Sequence, residues 1–168
     1  CLHHENGLKK ADSGDLKGDI EDFTKSIAAN PNQVISHHDR ALARKLSKDY
    51  KGAIEDYTKV IELNNEIKGE DNKFTESIYL ERGYCRFLAE DDEGAIADYT
   101  KVIEYNPESY IGFGRRGLVN DFIGDHEKAV FDFSKALDFY YENDKYELNK
   151  IILFMKRGDS KFALEDFK

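Results

Sequence analysis

Four of the five histidines come in two doublets, His3-His4 and His37-His38, set 34 residues apart, with Cys1 near the first. Imidazole and thiolate are zinc ligands, and a tetrahedral Zn²⁺ site takes about four of them. Two facing imidazoles and one thiol fall short of that, and the sequence offers no evident fourth ligand. A duplicated segment explains the doublets without a metal, so no cofactor is expected. A second constellation pairs charges. Arg40, Arg82 and Arg116 each stand sixteen residues ahead of an acid, Asp56, Asp98 and Asp132. Buried couples of this type can tune a catalytic group, but three copies in register read as structural ion pairs. Phosphate-binding glycine loops, a dinucleotide fingerprint and a nucleophile elbow are missing from the sequence. The expectation is a protein that is not an enzyme.

The elements that must position these residues recur. KGDIEDFTKSIAANP at 17–31, KGAIEDYTKVIELN at 51–64, EGAIADYTKVIEYNP at 93–107 and EKAVFDFSKALDFY at 127–140 share one pattern, echoed by KFALEDFK at 161–168. The aromatic of the shared D-[YF] pair falls at Phe23, Tyr57, Tyr99, Phe133 and Phe167, with spacings of 34, 42, 34 and 34. Apolar residues at Ala53, Ile54, Tyr57, Val60 and Ile61 form one helical stripe. Eight residues before each aromatic stands an aspartate, Asp15, Asp49, Asp91, Asp125 or Asp159. That column predicts helix N-caps, where a carboxylate accepts otherwise unpaired backbone N–H bonds. Gly14, Gly124 and Gly158 before it suit a left-handed helix end. Lys48 and Glu90 take that place in repeats two and three, which predicts turns of another shape.

Upstream helices carry a column of their own, Gly7, Ala41, Gly83, Gly117 and Ile151. Glycine inside a helix costs about 0.5–1 kcal/mol, so its recurrence predicts close helix–helix approach. The expected partner is the alanine column of the second helices, Ala53, Ala95, Ala129 and Ala163. The spacing of 42 implies eight extra residues within 64–77, read as a polar, solvated spacer. It either lengthens the second helix of repeat two or forms a loop broken at Gly69.

On these residues the chain resembles the tetratricopeptide repeat (TPR) family. The period, the Gly124-Asp125 turn, the alanine four before the aromatic, and Pro31 and Pro107 at repeat ends carry the likeness. The narrower match is a bacterial-type variant reading R-G…G-A-I-x-D-Y, seen at Arg82-Gly83 and from Gly94 to Tyr99. The resemblance implies an all-α, right-handed superhelical solenoid of antiparallel helix pairs, four full repeats plus a partial fifth. A single domain spanning 1–168 would hold repeats at about 1–32, 33–66, 75–108, 109–142 and 143–168, with the insertion at about 66–74.

The resemblance also implies a function, a protein–protein interaction scaffold binding a peptide or partner segment in a concave groove lined by the first helices. Leu8, Leu42, Tyr84, Leu118 and Ile152 follow the small residue, and half of that row is expected to pack as core. The residues assigned to partner binding are His38, Leu80, Glu81, Tyr84, Phe87, Arg115, Phe122 and Asn149, weighted toward the aromatics and Arg115. A chaperone-tail carboxylate clamp, known in adaptor members of the family, is not matched. Asp39 and Glu81 stand where its donors belong, and only Arg115 or Lys145 fits in the later registers.

Composition bounds the partner. The chain has 168 residues and a net charge of −9, which repels nucleic acid and anionic membranes and favours a basic peptide. No apolar run reaches the ~18–20 residues of a membrane span. The alternative function is self-association, a weak homodimer through the C-terminal repeat, where Ala163, Leu164 and Phe167 have no following repeat. Cys85, inside an apolar helical pattern, is expected to be a small core residue. Cys1, if it is the mature first residue, implies a lipidated bacterial envelope protein; otherwise the expected location is the cytoplasm.

Overall fold

A computed structural model describes residues 15–66, 72–140 and 156–163. Its named helices are α1 (Leu16–Ala29), α2 (Val34–Leu46), α3 (Tyr50–Glu66), α4 (Asn72–Leu88), α5 (Asp92–Tyr105), α6 (Tyr110–Phe122) and α7 (His126–Asp138). Residues 156–163 are also helical, and no strand occurs among the described residues. The fold is an all-α helical repeat. It divides into two compact units, Cys1–Glu90 and Asp91–Lys168. In the first unit α1 packs on α2, α2 on α3 and α3 on α4; in the second, α5 packs on α6 and α6 on α7.

Aspartate starts the second helix of each described pair. Asp15 accepts from Gly18 N at 3.0 Å, Asp49 from Gly52 N at 3.0 Å, Asp91 from Gly94 N at 3.0 Å and Asp125 from Lys128 N at 3.2 Å. The fifth member of that column departs from expectation. Residues 156–163 run as one helix through Gly158 and Asp159, so no turn and no cap forms there.

The turns of repeats two and three also differ from expectation. Lys48 has φ 65 and Glu90 φ 63, the same left-handed region as Gly124 at φ 84. Behind Lys48, Asp49 N bonds Arg44 O at 2.8 Å and Lys48 N bonds Lys45 O at 3.0 Å. Asp125 N to Asn120 O (2.8 Å) and Gly124 N to Asp121 O (3.1 Å) repeat both bonds. These are Schellman helix ends. Their two hydrogen bonds hold lysine in a conformation that glycine adopts without strain.

At Gly117 the small-residue column meets an aromatic ring rather than an alanine. A Cβ on Gly117 would lie 2.8 Å from Phe133 Cε1 and 3.2 Å from Asp132 Cβ. Glycine is needed because α6 lies against the face of α7 that carries its largest side chain. The alanines serve the core itself. Ala41, Ala53, Tyr57, Val60, Ile78 and Cys85 form one buried cluster in the first unit, and Phe113, Ala129, Phe133 and Ala136 one in the second.

Where the insertion is described it is helical, the first of the two alternatives the sequence left open, while residues 67–71 lie outside the described residues. α3 has 17 residues where α1 and α5 have 14, and α4 has 17 where α2 and α6 have 13. The added turns touch each other. Asn64 Nδ2 donates to Thr75 Oγ1 at 2.7 Å, Thr75 is buried, and Phe74 packs against the first-unit core.

Candidate functional site: the first-helix face and the network behind it

Arginines on two of the first helices, Arg40 on α2 and Arg116 on α6, each tie the two helices of their repeat together. Arg40 donates from Nε to Asp56 Oδ2 at 2.9 Å and from Nη2 to Asp56 Oδ1 at 2.6 Å. Arg116 does the same to Asp132 at 3.0 and 2.8 Å. Both acids are almost wholly buried. Two parallel charge-assisted bonds are the geometry in which guanidinium and carboxylate bind each other most strongly.

These arginines and Arg82 reach back one repeat, to a threonine that sequence reasoning missed. Arg40 Nη1 donates to Thr24 Oγ1 at 3.0 Å, Arg82 Nη1 to Thr58 Oγ1 at 3.0 Å and Arg116 Nη1 to Thr100 Oγ1 at 3.1 Å. Each threonine hydroxyl gives its proton to the carbonyl four residues earlier, at 2.6 to 2.8 Å. Its lone pairs are thereby left facing the arginine. The signal was legible as the T of D-[YF]-T-K, which follows every one of these aromatics. Arg82 and Thr58 flank the insertion and still meet.

Beneath this network, polar groups are held in unreactive states. His37 is buried, with Nε2 2.9 Å from Pro31 O and Nδ1 3.6 Å from Asp56 Oδ1. The Pro31 carbonyl can only accept, so Nε2 carries the proton. His3 and His4 lie outside the described residues. Among the described residues no group of three or more His, Cys, Asp or Glu is arranged to hold a metal ion. Burial pushes the Cys85 thiol up to about 11, which keeps it protonated. The Tyr57 hydroxyl is buried, makes no hydrogen bond among the described residues, and is raised well above its ordinary pKa, first by that burial.

The assigned binding residues distribute as follows. Tyr84 is 37% exposed and Phe122 71%. Arg115 is exposed, whereas Leu80, Phe87 and Glu81 are half-buried. Glu81 pairs with Lys45 across α2 and α4. His38 is half-buried, 2.9 Å from Asp39 Oδ1, its ring centroid 6.0 Å from Phe74 and 6.3 Å from Tyr57. Asn149 lies outside the described residues, as do Leu8 and Ile152.

Exposed apolar residues obey a simple register. On α2 they are Ile35, Leu42 and Leu46; on α6, Ile111, Leu118 and Phe122; on α4, Tyr84 and Leu88, with Ser77 taking the first place. Spacings of seven and four return to one side of a helix. The row after the small residue is therefore surface at its three described positions, Leu42, Tyr84 and Leu118. Sequence reasoning missed Ile35, Leu46, Leu88 and Ile111, although each stands seven before or four after a residue of that row.

Helices packed in succession within each unit, arginines that reach back one repeat, and an apolar row on the first helices define the helical-repeat solenoid class, whose architecture presents surface rather than an enclosed site. Within that class, residues 35–67 match the family model described as tetratricopeptide repeat. The chain is similar to a solved MamA protein at 22% identity, covering 99% of this chain and 86% of that one, with a TM-score of 0.74. A tetratricopeptide repeat protein from Parabacteroides merdae ATCC 43184 is similar at 21% identity, covering 99% and 66%, TM-score 0.72. The first TPR of Spaghetti (RPAP3), solved with the HSP90 peptide SRMEEVD, is similar at 24% identity over 73% and 90%, TM-score 0.61. No curated protein matches the chain.

Proposed function

We propose that this chain is a non-catalytic protein-interaction scaffold, and that its first helices take an apolar segment of a partner protein. The observation that carries the reading is the recurrence of Ile35/Leu42/Leu46, Tyr84/Leu88 and Ile111/Leu118/Phe122 at one register and all exposed. Scattered surface apolar residues need no explanation, whereas ordered rows mark binding surfaces. A tetratricopeptide repeat of similar fold was solved with a peptide bound, which supports the class of ligand. The peptide's chemistry does not transfer. SRMEEVD is acidic, and here Asp39 and the Lys45-paired Glu81 occupy the positions where anion-binding donors would stand. With a net charge of −9, the surface favours a segment that alternates apolar and basic residues.

The test is affinity capture from the native proteome with wild type and with the double variant Tyr84→Ala/Leu88→Ala. Both side chains are more than one-third exposed, so the variant should keep its thermal midpoint within about 2 °C while losing captured partners. Equal capture by a folded variant would refute the assignment. Concentration-dependent dimerisation that disappears in the same variant would mean that the row serves self-association instead.

A further inference from the structure

The second unit holds a recess of about 510 Å³ between α5, α6 and α7, within the size range of small-ligand sites. Its residues Arg116 and Asn120 on α6, and Ile123 just past the helix end, lie about 150° around the helix from Leu118, at about 100° per residue. It is therefore separate from the apolar row. Ile96 and Ile123 line it as apolar walls together with Phe131. Ile123 is 49% and Phe131 56% exposed.

Comparison between repeats shows why the recess exists. Arg44 occupies the register of Asn120 in the first unit and fills the equivalent space, donating to Asp56 Oδ2 at 2.8 Å and to Gly52 O at 3.1 Å. Asn120 is too short to do so. The wall positions change with it, Ile123 and Phe131 standing where repeat two has Ser47 and Glu55 and repeat three has Ala89 and Ala97. One repeat has lost its filling side chain and gained two apolar walls.

The floor defines the chemistry of an occupant. Asn120 is 2% exposed, and its Nδ2 donates to Asp132 Oδ2 at 3.0 Å. An amide nitrogen must face that carboxylate, so Oδ1 is the group left over, and it makes no hydrogen bond among the described residues. The Arg116–Asp132 couple beside it is bidentate and charge-balanced. Glu127 and Lys128 also line the recess, so its four charged side chains, two of each sign, leave no net charge for an ion to balance, and a neutral head group is favoured. It must donate one hydrogen bond and carry an apolar body suited to an aromatic and two branched walls.

We infer that this recess binds a phenolic ring, a tyrosine side chain of a partner protein, whose hydroxyl donates to Asn120 Oδ1 while its ring lies among Ile96, Ile123 and Phe131.

The test is methyl NMR of the full chain with Ile96 and Ile123 labelled, titrated with p-cresol, toluene and n-butylammonium. Acetylated, amidated Gly-Gly-Tyr-Gly-Gly and its Phe counterpart form the polypeptide arm. Expected are saturable shifts at both methyls with p-cresol and with the Tyr peptide. Toluene and the Phe peptide should bind about fivefold more weakly, the factor one neutral hydrogen bond supplies. Asn120→Arg should abolish the shifts; Arg44 shows that the fold accommodates arginine at this register, and an unchanged thermal transition confirms that the variant is folded. Should the variant unfold, Phe131→Glu, whose counterpart is Glu55, removes a wall instead and should weaken binding at least as much as deleting the hydroxyl. Toluene binding as tightly as p-cresol, stronger shifts with n-butylammonium, or shifts that persist in a folded variant would each overturn the assignment. Binding of p-cresol with none of the Tyr peptide would overturn the polypeptide source.

Discussion

Asp132 accepts three hydrogen bonds, two from Arg116 and one from Asn120, while its side chain is 2% exposed. Removing it strands a guanidinium and an amide together. Asp132→Ala should therefore cost about 3–5 kcal/mol in chemical denaturation. Tyr57 presents the opposite case. Its hydroxyl is buried and unbonded, and Phe23 and Phe133 already fill the same column as buried phenylalanines. Tyr57→Phe is expected to be neutral or to stabilise by up to about 1 kcal/mol. The N-cap Asp125 has its carboxyl held below the ordinary range, first by the hydrogen bond from the Lys128 side chain. Its stabilising contribution is then complete above the ordinary carboxylate pKa and is lost as pH falls through the lowered folded value. Asp125→Asn keeps an acceptor for the cap, so its thermal midpoint should fall less than the wild type's between neutral pH and about pH 3.

At the scale of the element, the turns between paired helices show how far local sequence can mislead. Glycine at 124 and lysine at 48 suggested two turn types, yet both are left-handed helix ends with the same pair of backbone bonds. Tertiary demand for a tight return overrode the conformational preference of lysine. Lys48→Gly should thus stabilise by about 0.5–1 kcal/mol, read as a rise in thermal midpoint. Gly117→Ala should do the reverse. Its new Cβ would lie 2.8 Å from the Phe133 ring, and overpacking of this kind costs about 1–3 kcal/mol.

For the molecule as a whole, Lys48 and Gly117 belong to different units. The double variant Lys48→Gly/Gly117→Ala should show the sum of the two single effects within about 0.5 kcal/mol. A larger departure, measured by equilibrium denaturation, would reveal coupling between the two positions. Repetition also explains how the chain tolerates eight extra residues. Arg82 still reaches Thr58 across them, because α3 and α4 lengthen together and their added turns pack on each other.

Helix identity, the caps at Asp15, Asp49, Asp91 and Asp125, and the Arg40–Asp56 and Arg116–Asp132 couples were legible in the sequence because each follows from a short, repeated spacing along one helix or between neighbouring ones. The exposed row was half legible: Tyr84 and Phe122 stood out as aromatics, while Ile35 and Leu46 were passed over. Periodicity says which residues share a face, but an apolar face is equally consistent with burial and with display. Only the packing of helices against one another decided which apolar rows were covered, that a phenylalanine ring lies over Gly117, and that the loss of one arginine side chain opened a recess beside Asn120. Those outcomes depend on side-chain volumes meeting across elements, and no spacing within a single helix encodes them.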